Sequence, residues 1–339
     1  MALTVDIGVF AHNAAASIAS MVAELARQDI LVGAMDVRVL ILAHGCIDAT
    51  VDRARAACAA TGDRIEVVDL ALGGKSRAWN SFVHDLSRPG SDMLLFCDTG
   101  IEMPEADSLT RLVTALIARA ELHVMGSRPV KDIAYRPQGL NRTERLIAIA
   151  GDQLGDWKPA ICSQLYAMPA PAARALHLPI DLPLEDDFLR MMVLTDVLTA
   201  PENSARIDGD VTVFHLYPSE RSILALIRHR TQIMVGAAIN AAIFAQIRSL
   251  PASARRAELA RAASEETWLP RQLKAQLPRL PNGYVPLRLL IRRSANTLAH
   301  PRELLHPQRV FLLFVGFGFD FIVYLNAQIR MARGSGEGP

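Results

Sequence analysis

Residues 92–104 read DMLLFCDTGIEMP, five apolar residues in a row enclosed by aspartates. An uninterrupted apolar run this short predicts a strand buried on both faces, the kind found in parallel sheets covered by helices on either side. The polar residues that close it then lie at the carboxyl end of a central strand, where ligands bind in open α/β sheets. Outward from this segment the periodicity keeps switching. Leu3–Phe10, Asp36–Ala43, Arg64–Leu70 and Glu121–Gly126 read as strands. Ala14–Arg27, Asp48–Ala60, Lys75–Leu86 and Asp107–Ala120 carry helical spacing. This alternation predicts βαβ units and an α/β fold with a mostly parallel central sheet flanked by helices. The residues to inspect are those just after each strand: Ala11-His12-Asn13, His44-Gly45, Gly73-Gly74-Lys75 and Asp98-Thr99-Gly100.

The rest of the chain is less regular. Residues 127–141 are polar and predict a loop, followed by a helix over Thr143–Leu154 and a strand over Cys162–Met168. An acidic helix start comes next at Glu185-Asp186-Asp187, then a strand at Val211–Phe214. A long helix is expected from Ser219 to about Leu250, and Pro251 and Pro270 divide the chain beyond it into shorter helices. The organisation expected is a catalytic unit over 1–220, a helical and partly amphipathic region over 221–308, an apolar helix over 309–330 and a disordered tail over 331–339. Together these give an α/β domain with a helical C-terminal appendage.

Composition narrows the function. The 339 residues are 51% hydrophobic and 21% charged, which supplies a sizeable core. The net charge of +1 gives no electrostatic reason to expect nucleic acid. The four cysteines form no C-x-x-C pair, so a zinc site has no support and reduced buried thiols are expected. The opening MALTVDIGVF has neither a basic n-region nor a long apolar core, so no secretory signal is read there.

Six segments carry chemistry, and their order resembles that of family 2 glycosyltransferases. VDIGVFAHNAAASI is similar to the family's first strand and loop, V-x-V-I-I-P-x-Y-N-E, with Ala14 in place of the acid. LILAHGCIDATVDRAR is similar to D-D-G-S-x-D-x-T through Gly45, Asp48 and Thr50, with Ala43 and His44 replacing the leading acids. Asp48 also suits a helix N-cap, the role favoured for it here. LALGGKSRAWNSF resembles G-K-x-x-A-x-N through Gly74, Lys75, Ala78 and Asn80. A glycine pair and a lysine at a helix start suit an anion, because backbone N–H groups, the helix dipole and a cation converge there. MLLFCDTGIEMP stands in the place of D-x-D, with Asp98 first, Gly100 second and Glu102 two residues on. DLPLEDDFLRMM resembles E-D-x-x-L through Glu185, Asp186 and Leu189. Around His229–Ile233 the chain aligns with Q-x-x-R-W but keeps neither the Gln nor the Trp.

The resemblance covers residues 1–240 and implies a GT-A, Rossmann-like fold and an inverting transferase of hexosyl type. The donor is then a nucleotide sugar and the acceptor a hydroxyl, on a lipid-linked or envelope glycan. It implies donor contacts from Ala11, Asn13, His44, Asp48, Lys75, Asp98, Arg228 and Arg230. Asp98, Glu102 and His215 become the ligands of a divalent cation, Mg2+ or Mn2+. Inversion needs a carboxylate to take the acceptor's proton, and neighbouring acids raise a carboxylate's pKa. Asp186 is assigned as that base, with Asp187 as runner-up and Glu185 beside them.

Toward the C-terminus, VFLLFVGFGFDFIVYLNAQI lies between Arg309 and Arg330. It is long enough to span a bilayer, but Asp320 near its centre opposes that by about 2.5–3.5 kcal/mol. PLRLLIRRSANTLAHPRELLH upstream mixes Arg and apolar residues as a helix lying on anionic lipid does. Membrane association is therefore expected, at the cytoplasmic face of the inner (plasma) membrane. Two rival readings are a membrane scaffold that kept the fold without catalysis and a sugar nucleotidyltransferase. The latter needs a glycine-rich basic loop after the first strand, which AHNAAAS lacks.

Overall fold

The computed structural model describes residues 2–61, 64–141, 144–145, 157–162, 164–279, 283–298 and 307–334. Seven strands form one sheet in the order β3-β2-β1-β4-β6-β5-β7. They are β1 Thr4–Ala11, β2 Asp36–His44, β3 Ile65–Leu70, β4 Met93–Asp98, β5 Val124–Lys131, β6 Leu165–Pro169 and β7 Ile207–Tyr217. β1 pairs in parallel with β2 and β4, and β2 with β3. β6 runs antiparallel between β4 and β5, and β5 is parallel to β7. The sheet is thus mostly parallel, as the alternating periods predict.

The apolar run of β4 is explained by two cores, one on each face. Leu94 and Phe96 point into one; Leu95 and Cys97 point into the other. Helices Ile18–Ala26, Thr50–Cys58 and Ser108–Ile117 cover the second face. The first face is built on aromatics. Phe96 stacks on Tyr166 at 4.6 Å and Trp79 at 5.6 Å, and meets the Phe82 edge at 5.5 Å. Trp79 Nε1 donates to Tyr166 Oη at 2.9 Å, so the polar ends of both rings are paired in the core. The long helix Ile223–Ser249 packs on this same face, and the C-terminal helix Pro307–Ala332 packs along it. The helical appendage therefore shares a core with the sheet.

Several elements depart from the periodicity. β5 continues through Lys131, although the polar composition of 127–141 predicts a loop. A register shift between Ser127 and Arg128 lets the strand carry Pro129 beside the edge strand β7. The long helix begins at Ile223, capped by Ser222, whose hydroxyl accepts from Ala225 N at 3.2 Å. The C-terminal helix extends to Ala332, into the expected tail, whose last five residues lie outside the described ones. Most of the helix expected over Thr143–Leu154 also lies outside them. Among the described residues, no helix is long and apolar enough to cross a membrane. This corrects the spanning form of the expectation for 309–330.

Candidate active site

The carboxyl ends of β1, β2 and β4 and the loop after β3 open on one cleft of about 930 Å³. Parallel strands end on the same edge, so the loops after them converge there. β6 runs the other way and contributes its preceding residue, Gln164. The segment before the acidic helix adds Asp181, and the long helix adds Gln232.

Two glycines set the floor. Gly45 has φ +55, and a Cβ there would lie 2.5 Å from Gly73 Cα and 2.6 Å from Gly73 N. Both neighbours are backbone and cannot rotate away. Gly45→Ala is therefore expected to cost about 2–4 kcal/mol from left-handed strain plus overpacking. Thermal denaturation should show the loss, and donor binding should fall with it. Unchanged melting would mean that the two loops separate freely.

Lys75 is the centre of charge. It begins the helix Lys75–Asn80, whose N-cap Gly74 has φ +106. Its ammonium lies 2.8 Å from Asp98 Oδ1 and 3.2 Å from Glu185 Oε1. Burial alone would lower the lysine's pKa, but the Asp98 and Glu185 carboxylates outweigh it and push it up, so the ammonium stays charged. Asp186 follows Glu185 in the first turn of the helix Glu185–Leu194. Burial, then the neighbouring Glu185 carboxylate, pushes Asp186 up to about 7. Its Oδ1 accepts from Asp187 N at 2.8 Å.

His12 and His44 also line the cleft and stack with ring centroids 5.3 Å apart. His12 Nδ1 donates to the His44 carbonyl at 2.8 Å, which leaves Nε2 to accept from Asn13 Nδ2 at 3.1 Å. Burial first, then His12 and Lys75, pull His44 down to about 4, so its ring is neutral around pH 7. Asn13 sits at φ 47 and accepts from Ile47 N at 2.9 Å, tying the loops after β1 and β2 together.

The structure brings together Asn13, His44, Lys75, Asp98 and Glu185, with Asp186 adjoining. It places the other expected residues elsewhere. Ala11 is fully buried in β1, below the cleft. Asp48 is neither a cleft residue nor the helix N-cap. Its carboxylate accepts from Thr50 N at 3.0 Å, in an Asx turn, and from Ala15 N at 3.2 Å. Glu102 is drawn away because its backbone bridges Leu216 and its carboxylate takes a bidentate Arg136 at 2.7 and 3.1 Å. His215 is inside the sheet with both ring nitrogens occupied, by Ser127 Oγ at 2.5 Å and Gln164 Oε1 at 2.9 Å. Burial pulls it down to about 3, so it is neutral and structural. Asp187 is exposed, with Oδ2 3.4 Å from Asn240 Nδ2 on the long helix. Arg228 and Arg230 are exposed near that helix's start, and Gln232 is the side chain it gives to the cleft. At 100° per residue, Arg230 lies on the far side from Gln232, whereas Arg228, one turn earlier, shares its side.

Three cleft residues carry no signal in the sequence. Gln164 sits in a segment with no motif, Asp181 opens the DLPLEDDFLRMM segment but matches no motif position, and Gln232 lies where Q-x-x-R-W is degenerate. Asp181 has φ 62 just before the acidic helix, and no spacing signals that turn.

The fit to a divalent cation is partial. Among the described residues, no three His, Cys, Asp or Glu side chains gather as a metal site. Asp98 and Glu185 do hold their oxygens around a positive charge, that of Lys75. One or two carboxylates suffice for Mg2+ when substrate phosphates and water complete its shell. The residues therefore fit a cation that arrives with a diphosphate, and not a preformed cage.

No protein-family model and no curated protein matches the sequence. Among solved structures, a mannosyltransferase from Pyrobaculum calidifontis in complex with GDP-mannose and Mn2+ is similar over 96% of this chain and 87% of that one, with 14% identity and a TM-score of 0.56. Glucosyl-3-phosphoglycerate synthase from Mycobacterium tuberculosis, with Mg2+ and uridine diphosphate, matches 74% of this chain and 80% of that one at 18% identity and a TM-score of 0.49. Mannosyl-3-phosphoglycerate synthase from Rubrobacter xylanophilus matches 70% and 73% at 14% identity and a TM-score of 0.48. The fold assignment rests on the first of these, together with the sheet order and the place of the cleft. The chain has the GT-A fold of glycosyltransferases, carried by a divergent sequence.

Proposed function

We propose that this chain is an inverting glycosyltransferase of family 2, hexosyl type, which moves a sugar from a nucleoside diphosphate to a hydroxyl acceptor. The observation that carries the reading is the Asp98–Lys75–Glu185 cluster at the strand ends, with a carboxylate of near-neutral pKa, Asp186, beside it. The nucleoside lies toward His12, Asn13 and His44, where Ile47 offers an apolar surface that is 93% exposed. The diphosphate lies toward Lys75 and the backbone N–H groups of its helix start. A Mg2+ or Mn2+ ion bound with the donor would be held by Asp98 and would help neutralise the departing diphosphate.

Asp186 takes the proton of the acceptor hydroxyl as its oxygen attacks the anomeric carbon. The bond from that carbon to the diphosphate breaks on the opposite face, and the configuration inverts. Lys75 stabilises the charge that develops on the leaving oxygen. The acceptor class proposed is a lipid-linked or envelope glycan. A second cavity of about 380 Å³ shares Asp181 with the cleft and is walled by Ile239, Leu269, Leu273 and Leu277, which suits an apolar chain.

A base must be ionised to work. With Asp186 raised to about 7, kcat/KM should rise with pH through that value and level off above it. A flat profile between pH 5 and 8 would remove Asp186 from the role. Calorimetry with GDP- and UDP-sugars, with and without Mn2+, tests the donor assignment. The scaffold reading draws on Gly100 in the D-x-D place and on Arg136 holding Glu102. Absence of all nucleotide binding would favour it.

A further inference from the structure

The C-terminal helix turns a continuous apolar stripe to solvent. Phe314, Phe317, Phe321, Leu325 and Ile329 are 40–71% exposed and fall at i, i+3, i+7, i+11 and i+15. At 1.5 Å per residue the stripe is about 22 Å long. The opposite side of the same helix is buried through Val323, Ala327 and Met331. Asp320 belongs to that inner side. It is 9% exposed, and its Oδ1 lies 3.1 Å from Arg293 Nη2. The acid that opposes insertion is thus turned away from the stripe and paired.

The helix Leu287–Leu298 packs against this one and adds exposed Leu287 and Ile291 flanked by exposed Arg288 and Arg292. Residues 283–334 hold seven arginines and two acids, although the whole chain carries only +1. Among the described residues, Arg288, Arg292 and Arg293 are exposed on the helix that flanks this apolar stripe. Soluble monomers rarely leave such a stripe uncovered.

We infer that this face docks on an anionic lipid bilayer, lying in its interface without crossing it. Aromatic and aliphatic side chains enter the acyl boundary while the arginines meet the anionic headgroups. A protein partner would have to match both the apolar stripe and the basic flank; a bilayer offers both along any direction. The placement also bears on access. Arg330 at the end of the helix donates to Gln232 Oε1 at 3.2 Å, and Gln232 lines the cleft. The cleft thereby opens near one end of the docking face.

The test is cosedimentation of the full chain with vesicles, which requires no sugar transfer and stands apart from the enzymatic reading. Binding is expected to vesicles of phosphatidylcholine and phosphatidylglycerol in equal parts, to be weaker on phosphatidylcholine alone, and to fall as salt rises. Arg288→Ala with Arg292→Ala should lower affinity for the anionic vesicles on the order of twentyfold. Phe321→Glu with Leu325→Glu should abolish binding to both kinds. These side chains are exposed, so circular dichroism and melting should match the wild type. Wild-type protein that ignores both vesicles, or a Phe321→Glu/Leu325→Glu variant that binds normally, would overturn the inference. So would a wild-type dimer that this variant makes monomeric in sedimentation, which would assign the face to a second copy of the chain.

Discussion

Asp186→Asn is expected to lower kcat/KM by about a hundred- to ten-thousandfold while leaving donor affinity nearly unchanged. The substitution keeps the shape of the side chain. The amide oxygen can still accept from Asp187 N, as the carboxylate does at 2.8 Å, so the first turn of its helix should stay in place. What is lost is the capacity to take a proton. The donor's contacts are proposed at Lys75, Asp98 and the His12–His44 pair, none of which the amide disturbs. The pH dependence sharpens the case, because any remaining rate should no longer rise through pH 7. Steady-state kinetics together with calorimetric donor titration separates the two effects. Equal losses in donor affinity and rate would mean that Asp186 positions the donor. Full activity would move the base to Glu185, which Glu185→Gln would then reveal.

Particular residues show how much of the fold and the site is legible in the sequence. The apolar run of β4 locates a strand buried on both faces because a strand between two helix layers has no polar side to show. Lys75 and Asp98 are legible for the same topological reason: residues that come after parallel strands meet at one edge. Asp48 is read from the sequence as a helix N-cap, but the helix starts one residue later, behind Ala49, and the carboxylate bonds Thr50 N in a turn instead. Glu102 and His215 are misplaced by spacing because their surroundings are set by distant partners. Arg136 captures Glu102 across 34 positions, and Ser127 and Gln164 enclose His215 across 88 and 51. Spacing along a chain contains no record of such pairings. Asp181 and Gln164 are hidden for a related reason, as neither lies in a repeated pattern and each is delivered by a long connection. The C-terminal stripe is visible as helical spacing, but only packing shows that Asp320 faces inward.

Lys75→Met should be the second most damaging change, and it separates electrostatics from packing. The methionine fills much of the same space, yet the charge between Asp98 and Glu185 is gone. Loss of a single stabilising group aimed at developing charge costs about a hundred- to a thousandfold in kcat, and donor affinity should fall as well. Stability should fall too, because two carboxylates then share a partly buried site with no ammonium. Burial already raises the Asp98 pKa and Lys75 opposes that rise, so its removal drives Asp98 further up. A carboxylate whose folded pKa exceeds its unfolded one destabilises the fold when ionised. The stability deficit of the variant should therefore be small near pH 4, grow as pH rises through the raised pKa, and be full above it. Melting temperatures of wild type and variant should converge in acid and diverge toward pH 8. A deficit that does not change with pH would mean that Lys75 acts through its aliphatic stem. Lys75→Arg then provides the control. It keeps the charge on a larger planar group, so it should restore much of the stability at pH 8 while recovering little of the rate, since a group shaped to bracket carboxylates does not place one donor where Nζ stood.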